Sequence, residues 1–159
     1  MRDLGSIPSP QNCFLLSVGL ETLALRMERH CYNADRVAHY LNNHEKVSSV
    51  IYAGLEGDKY HDLAKKYMPK GTCGVISFEL KGGREAAVRF MDSLKLATIA
   101  THVADAKTMV LHPASHTHRQ LNDQQLKEAG VSPGMIRFSV GIENVEDIIA
   151  DLEQALANA

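Results

Sequence analysis

No run in this sequence approaches the roughly 18 consecutive apolar residues needed to cross a bilayer, so no membrane-spanning helix is expected. The N-terminus lacks a basic region followed by an apolar core, which predicts no secretory signal. Cysteine is scarce. Cys13, Cys31 and Cys73 form an odd set without a CxxC pairing, and they read as free thiols in a reducing compartment. Neither sign of charge dominates: 17 basic and 19 acidic side chains, mixed along the chain, give a net −2. That balance leaves no electrostatic footprint for nucleic acid. Internal repeats, low-complexity tracts and linkers are also missing. These absences point to a cytoplasmic chain with neither a membrane nor a nucleic acid as partner. Its 159 residues suffice for one domain with a sizeable core.

Hydrophobic periodicity then supplies the elements. Ser9-Pro10 is a helix start, with Ser as N-cap and Pro at the first position, and the short helix carries Phe14, Leu15 and Val18. From about Glu21 to Asn42, Leu20, Leu23, Met27, Cys31, Ala34, Ala38 and Leu41 recur at spacings of three and four. That stripe predicts one long helix, or two joined near Gly19, with a core face, Cys31 being an inert buried thiol on it. Arg26, Arg29, His30, Asn33 and Arg36 lie mostly off it. Strands are expected at Val47–Tyr52, Val75–Leu80, Ala97–Thr101, Thr108–Leu111 and Met135–Val140. Helices are expected at His61–Tyr67, around Ala87–Leu94, from Asn122 to Ala129 with Gly130 as stop, and after Asn144. The order predicts a two-layer α/β sandwich with helices mainly on one face. Pattern alone does not order the strands.

The stretch Thr101–Gly141 holds the chemistry. It contains four of the eight histidines and one Arg inside an otherwise apolar strand. In Met135–Val140, Ile136, Phe138 and Val140 alternate with Arg137 and Ser139. An arginine is rarely buried without a partner, and its planar fork matches a carboxylate or phosphate. Arg137 is therefore either an anion receptor at the sheet or one half of an internal ion pair. His112, His116 and His118 make H-x3-H-x-H, with His102 a conceivable fourth ligand for zinc. No Cys or carboxylate sits at ligand spacing with them, and Pro113 breaks any helix that would align them, so a metal is not expected. His112 instead reads as a satisfied buried histidine, His118 as a loop-holding one, and Glu143 as a solvated or ion-paired surface group.

Four blocks, GLETLALRMERH (Gly19–His30), KGTCGVISFELKGG (Lys70–Gly83), HPASHTH (His112–His118) and IRFSVGIEN (Ile136–Asn144), resemble the Cys/Met-metabolism pyridoxal-phosphate (PLP) enzymes. They are most like O-acetylhomoserine sulfhydrylases. The resemblance runs from about Asp3 to about Leu156. It implies the C-terminal small domain of a fold-type-I PLP enzyme, with a mostly antiparallel sheet. Residues 1–159 would then be a single C-terminal domain of a longer enzyme whose N-terminal cofactor domain is missing. The segment Met1–Pro10, which looks like the join between two such domains, fits this.

By the same resemblance Arg137 would bind the substrate's α-carboxylate. Thr117 matches the family's active-site Thr, and His102 falls where relatives commonly have Ser or Asn lining the pocket. His at 102 and Ala at 104, where Gly is usual, are departures. The family's Ser-x-Thr-Lys cofactor motif is absent; Lys65, Lys66, Lys107 and the other lysines read as solvated. No catalytic residue and no cofactor-binding residue is therefore assigned, and the fragment alone is expected to be inactive. The whole enzyme would use PLP to replace the acetate of O-acetylhomoserine by sulfide or a thiol, giving homocysteine or methionine. Cystathionine γ-synthase and methionine γ-lyase activities are the alternatives within the family, and a homotetramer is the implied assembly. Outside the family, the alternative is a stand-alone amino-acid-sensing or interaction domain in which Arg137 holds an effector carboxylate.

Overall fold

Helix α1 (Pro10–Glu21) starts as its sequence predicts: Ser9 Oγ accepts the Asn12 amide at 3.2 Å and Pro10 fills the first turn. It runs at Thr22 into the long α2 (Leu23–Asn42). Then follow β1 (Val47–Ile51), α3 (His61–Tyr67), β2 (Val75–Leu80), α4 (Gly83–Ser93), β3 (Thr98–Ile99) and β4 (Met109–Leu111). A 3-10 turn (Pro113–Ser115), α5 (Asp123–Glu128), β5 (Met135–Ser139) and α6 (Val145–Ala157) complete the chain. This computed structural model describes residues 5–159; the Met1–Leu4 part of the expected domain join lies outside the described residues.

The strands form one sheet in the order β1-β2-β5-β4-β3. Every pairing is antiparallel except β3 with β4, so the sheet is the mostly antiparallel one expected. α6 lies between α2 and α4, and these helices cover one face. The period-two alternation of β2 and β5 sends Ile76, Phe78, Leu80, Ile136 and Phe138 into that layer, all of them buried. Phe78 stands edge-on to Phe90 of α4 and to Phe138, with ring centroids at 5.7 and 6.4 Å, an arrangement aromatic rings favour. Val145, Ile148, Leu152, Ala155 and Leu156 bring α6 onto the same core.

Two features of the helical stripe differ from expectation. Leu20, Leu23 and Met27 are exposed, as are Phe14, Leu15 and Val18 on α1. The stripe becomes core only from His30 onward, because the sheet ends there and nothing in the described residues covers the first turns. His30 and Asn33, expected off the stripe, are buried. They are tolerated because each finds backbone carbonyls: His30 Nδ1 donates to Val140 at 2.7 Å, and Asn33 Nδ2 donates to Gly141 at 3.0 Å and Glu143 at 2.8 Å. Cys31, expected to be buried, is half-buried. Burial, and then the nearby Cys73, push its thiol up, which keeps it a poor nucleophile.

β3 is shorter than the expected Ala97–Thr101. It is an edge strand with one neighbour, and after Ala100 the chain turns across the sheet. Asp151 of α6, almost fully buried, anchors the approach to it by accepting the amides of Lys95 (2.8 Å), Leu96 (3.0 Å) and Ala97 (2.9 Å).

Candidate functional site

Arg137 rises from the middle of β5 on the face away from α2, α4 and α6. Its register neighbours are Ser77 of β2 and Leu111 of β4. Arg137 is half-buried as a residue, and its Nη2 donates to the Thr101 carbonyl at 2.7 Å. The ion pairs among the described residues are Arg36–Glu146 and Arg84–Asp123, beside a His39–Asp35 contact at 3.7 Å. None involves Arg137, so within the described residues the internal ion pair is not formed. An arginine carries five N–H donors, and the Thr101 carbonyl takes one edge of the fork.

Residues 100–108, between β3 and β4, lie beside this arginine. Ala104 sits in the left-handed region at φ 59°, and its amide donates to the buried Ser139 hydroxyl at 3.1 Å. Ser139 shares the Arg137 face of β5. At the loop's end Thr108 donates its amide to Glu143 Oε1 at 2.6 Å and its hydroxyl to Oε2 at 2.9 Å. Glu143 is thus a loop clamp and not the solvated or ion-paired surface group that its sequence context suggests. Its partner is distant in sequence, and no local signal marks it.

His102 follows Thr101 directly and is exposed. Thr117 is exposed in the loop leaving β4, where its Oγ1 lies 2.9 Å from His118 Nδ1. Among the described residues neither side chain hydrogen-bonds Arg137.

His112 is the satisfied buried histidine expected. Nε2 is 2.7 Å from the Pro133 carbonyl, which can only accept, so Nε2 carries the proton and Nδ1 takes the Ser115 hydroxyl at 2.9 Å. Burial holds its pKa below the ordinary histidine range, against the Pro133 bond, with Arg84 and His116 adding to the depression. The backbone amide of His118 donates to Pro113 at 2.9 Å, while its ring Nδ1 meets only the adjacent Thr117 hydroxyl among the described residues. Among the described residues no three His, Cys, Asp or Glu side chains converge as a metal would require.

Lys46 Nζ is spent on the carbonyls of Leu156, Ala157 and Ala159 at the end of α6. The other lysines are exposed. None lies in a dry recess of the kind that a covalently held cofactor needs, so the residues of this chain do not by themselves form a PLP site. A separate cleft of about 520 Å³ lies between α2 and α3 and is lined in part by Cys31, Tyr52, His61, Gly71 and Thr72. There the Tyr52 hydroxyl accepts from Thr72 at 2.8 Å and faces the Cys73 carbonyl at 3.3 Å. Burial is the main cause that pushes its pKa up to about 12, against the Thr72 bond.

Residues 1–157 match the Cys/Met metabolism PLP-dependent enzyme family. The chain belongs to that family. It is 48% identical over 159 residues to an O-acetyl-L-homoserine sulfhydrylase of Leptospira meyeri, covering 99% of this chain and 36% of that protein. It is 50% identical over 156 residues to a homocysteine synthase of Schizosaccharomyces pombe (98% and 36%). It is 47% identical over 157 residues to an L-methionine gamma-lyase of Fusobacterium nucleatum (98% and 40%). A crystal structure of a putative O-acetylhomoserine (thiol)-lyase of Campylobacter jejuni, which carries a pyridoxyl-lysine monophosphate, superposes with a TM-score of 0.88 at 45% identity. The match covers 98% of this chain and 37% of that one. The fold is therefore that of a segment of a fold-type-I PLP enzyme, and the family's cofactor is PLP. The chain spans well under half the length of these relatives.

Proposed function

We propose that this chain is the substrate-carboxylate-binding lobe of a PLP-dependent O-acetylhomoserine sulfhydrylase-like enzyme, following a cofactor domain in a longer polypeptide. The observation that carries this reading is Arg137: half-buried, on the open face of the sheet, held on one edge by the Thr101 carbonyl, and without a carboxylate partner among the described residues. An amino-acid α-carboxylate matches the rest of its fork. Gripping that end fixes the direction in which the amino group and side chain point, which is the positioning an enzyme needs. PLP, held by the cofactor domain, supplies the electron sink. Thr117 and His102 are assigned to the same substrate site in this reading through the resemblance to the family. Sulfhydrylases and γ-lyases match this chain about equally well, and both act on α-amino acids, so the carboxylate grip suits either. O-acetylhomoserine is the substrate proposed, and assembly into a homotetramer is part of the same reading.

The exposed apolar surface of α1 supports the missing domain. Phe14, Leu15, Leu16 and Leu20 are 58–64% exposed, and no residue of α1 is buried. A helix this apolar on all sides is ordinarily covered.

An antibody raised to this chain tests the proposal on the native gene product. The expected immunoblot shows a band far above 17.5 kDa, and the product retains PLP through purification. A sole band at 17.5 kDa would overturn it and bring forward a stand-alone amino-acid-sensing domain.

A further inference from the structure

Among the described residues the Arg137 guanidinium hydrogen-bonds a loop carbonyl. The carbonyl that fixes its guanidinium belongs to Thr101, within residues 100–108, a segment without helix or strand. The segment must therefore be held from outside if the arginine is to keep one orientation. Its start is tied to β4 by the Ala100 amide donating to Val110 at 3.1 Å, and its end to β3 by the Thr98 amide donating to Thr108 at 3.0 Å. Every other long-range tie reaches the end of β5 or the turn after it. Ser139 takes the Ala104 amide, the Ile142 amide donates to Ala106 at 2.9 Å, and Glu143 takes both donors of Thr108. The Thr108 hydroxyl in turn accepts the Gly141 amide at 2.9 Å. A Cβ at Gly141 would collide with the Glu143 carboxylate, the Ala106 carbonyl and the Thr108 amide, so the turn and loop are packed without a gap. From the opposite side, His30 and Asn33 of α2 hold the same turn.

We infer that Glu143, with Ser139, is a positioning residue for Arg137: it locks residues 100–108 to the β5–α6 turn so that Thr101 holds the guanidinium with its free edge toward the substrate carboxylate. The inference rests on the carboxylate-binding role of Arg137. A carboxylate suits 143 because the two Thr108 donors meet separate oxygens, Oε1 and Oε2, and an amide would put an NH2 group in place of one of them. Ser139 adds the second attachment, at the one loop residue whose backbone is left-handed.

Nitrogen-resolved NMR of the 159-residue chain reads this directly, with the Arg137 guanidinium signals assigned by their loss in Arg137→Lys. Glu143→Ala and Ser139→Ala are each expected to shift these signals and to speed their hydrogen exchange about tenfold, the protection carried by one hydrogen bond. Glu143→Gln should fall between wild type and Glu143→Ala, since half the clamp survives. Glu146→Ala, which breaks only the surface pair with Arg36, and Ile148→Val, which trims the core, should leave the Arg137 signals in place. If Glu143→Ala does not fold, Thr108→Val against Thr108→Ser gives the same reading, the serine keeping the hydroxyl. Arg137 signals that stay unchanged while the Thr108 amide moves would overturn the coupling. An unchanged substrate KM on Arg137→Lys in the full-length enzyme would overturn the carboxylate role instead, leaving the coupling intact.

Discussion

The amide of Ala104 points into the sheet and donates to the hydroxyl of Ser139 at 3.1 Å, and it does so with Ala104 at φ 59°. Ala104 is the one non-glycine among the described residues in the left-handed region. A side chain costs about 1–2 kcal/mol in that conformation. The resemblance to the family leads one to expect glycine at this position, and the backbone supplies the reason. Ala104→Gly is therefore expected to stabilise the chain by about 0.5–1 kcal/mol, after allowing for glycine's freer unfolded state. Chemical denaturation gives the sign; a destabilised variant would mean the loop does not need the left-handed turn.

If Arg137 grips the substrate carboxylate as proposed, Arg137→Lys in the full-length enzyme should raise the KM for the amino-acid substrate by roughly tenfold to a hundredfold, with kcat changed less, because a lysine cannot reproduce the bidentate fork. Arg137→Ala in the 159-residue chain should cost under about 1 kcal/mol, since no ion pair is lost. A cost of several kcal/mol there would show that the arginine serves the fold.

Asp151 should matter to the fold far more than its place on a polar-looking helix turn suggests. Its carboxylate accepts three consecutive backbone amides from residues 95–97 while almost fully buried. Asp151→Ala leaves those amides without an acceptor and should destabilise by about 3 kcal/mol. Asp151→Asn keeps one good acceptor and should lie between. Urea titration of both variants checks the order.

Tyr52 gives the chain an alkaline limit. Its folded pKa of about 12 lies above the roughly 10 of an unfolded tyrosine. A pKa raised by folding stabilises fully below the unfolded value and is lost as pH rises through the folded one. Between about pH 10 and 12 Tyr52 should cost the fold about 2 kcal/mol that a Tyr52→Phe variant does not lose. Parallel stability curves for wild type and Tyr52→Phe over that interval would count against the buried neutral phenol.

Alone in solution, the chain should self-associate through α1. Phe14→Glu with Leu16→Glu places two charges on surface that packs on nothing among the described residues, so the thermal midpoint should barely move. Sedimentation should then show a shift toward monomer. If the double variant unfolds instead, α1 is part of the core of this lobe.

How much was legible follows from how local each signal is. The caps at Ser9, Asn122 and Asn144 act within a few residues of themselves, and each is found where its sequence places it. The alternation in β2 and β5 is likewise local, and it put Arg137 opposite the core without any knowledge of the sheet. The exposure of Leu20, Leu23 and Met27 was not legible, because periodicity reports a face and not what covers it. Buried His30 and Asn33 were missed for a related reason: a polar residue is welcome inside only if carbonyls await it, and theirs lie more than 100 residues away.

By itself, then, the sequence determined most of the elements, the apolar faces of β2 and β5, and the family. Those properties depend on near neighbours and on motif blocks read in order. Only the tertiary structure decided the strand order, the uncovered α1, the Asp151 nest and the clamp of Glu143 on Thr108 that steadies the loop beside Arg137. Each of these is a hydrogen bond or a missing contact between residues far apart in the chain. A carboxylate's worth depends on which donors the fold delivers to it, and no local pattern encodes that delivery.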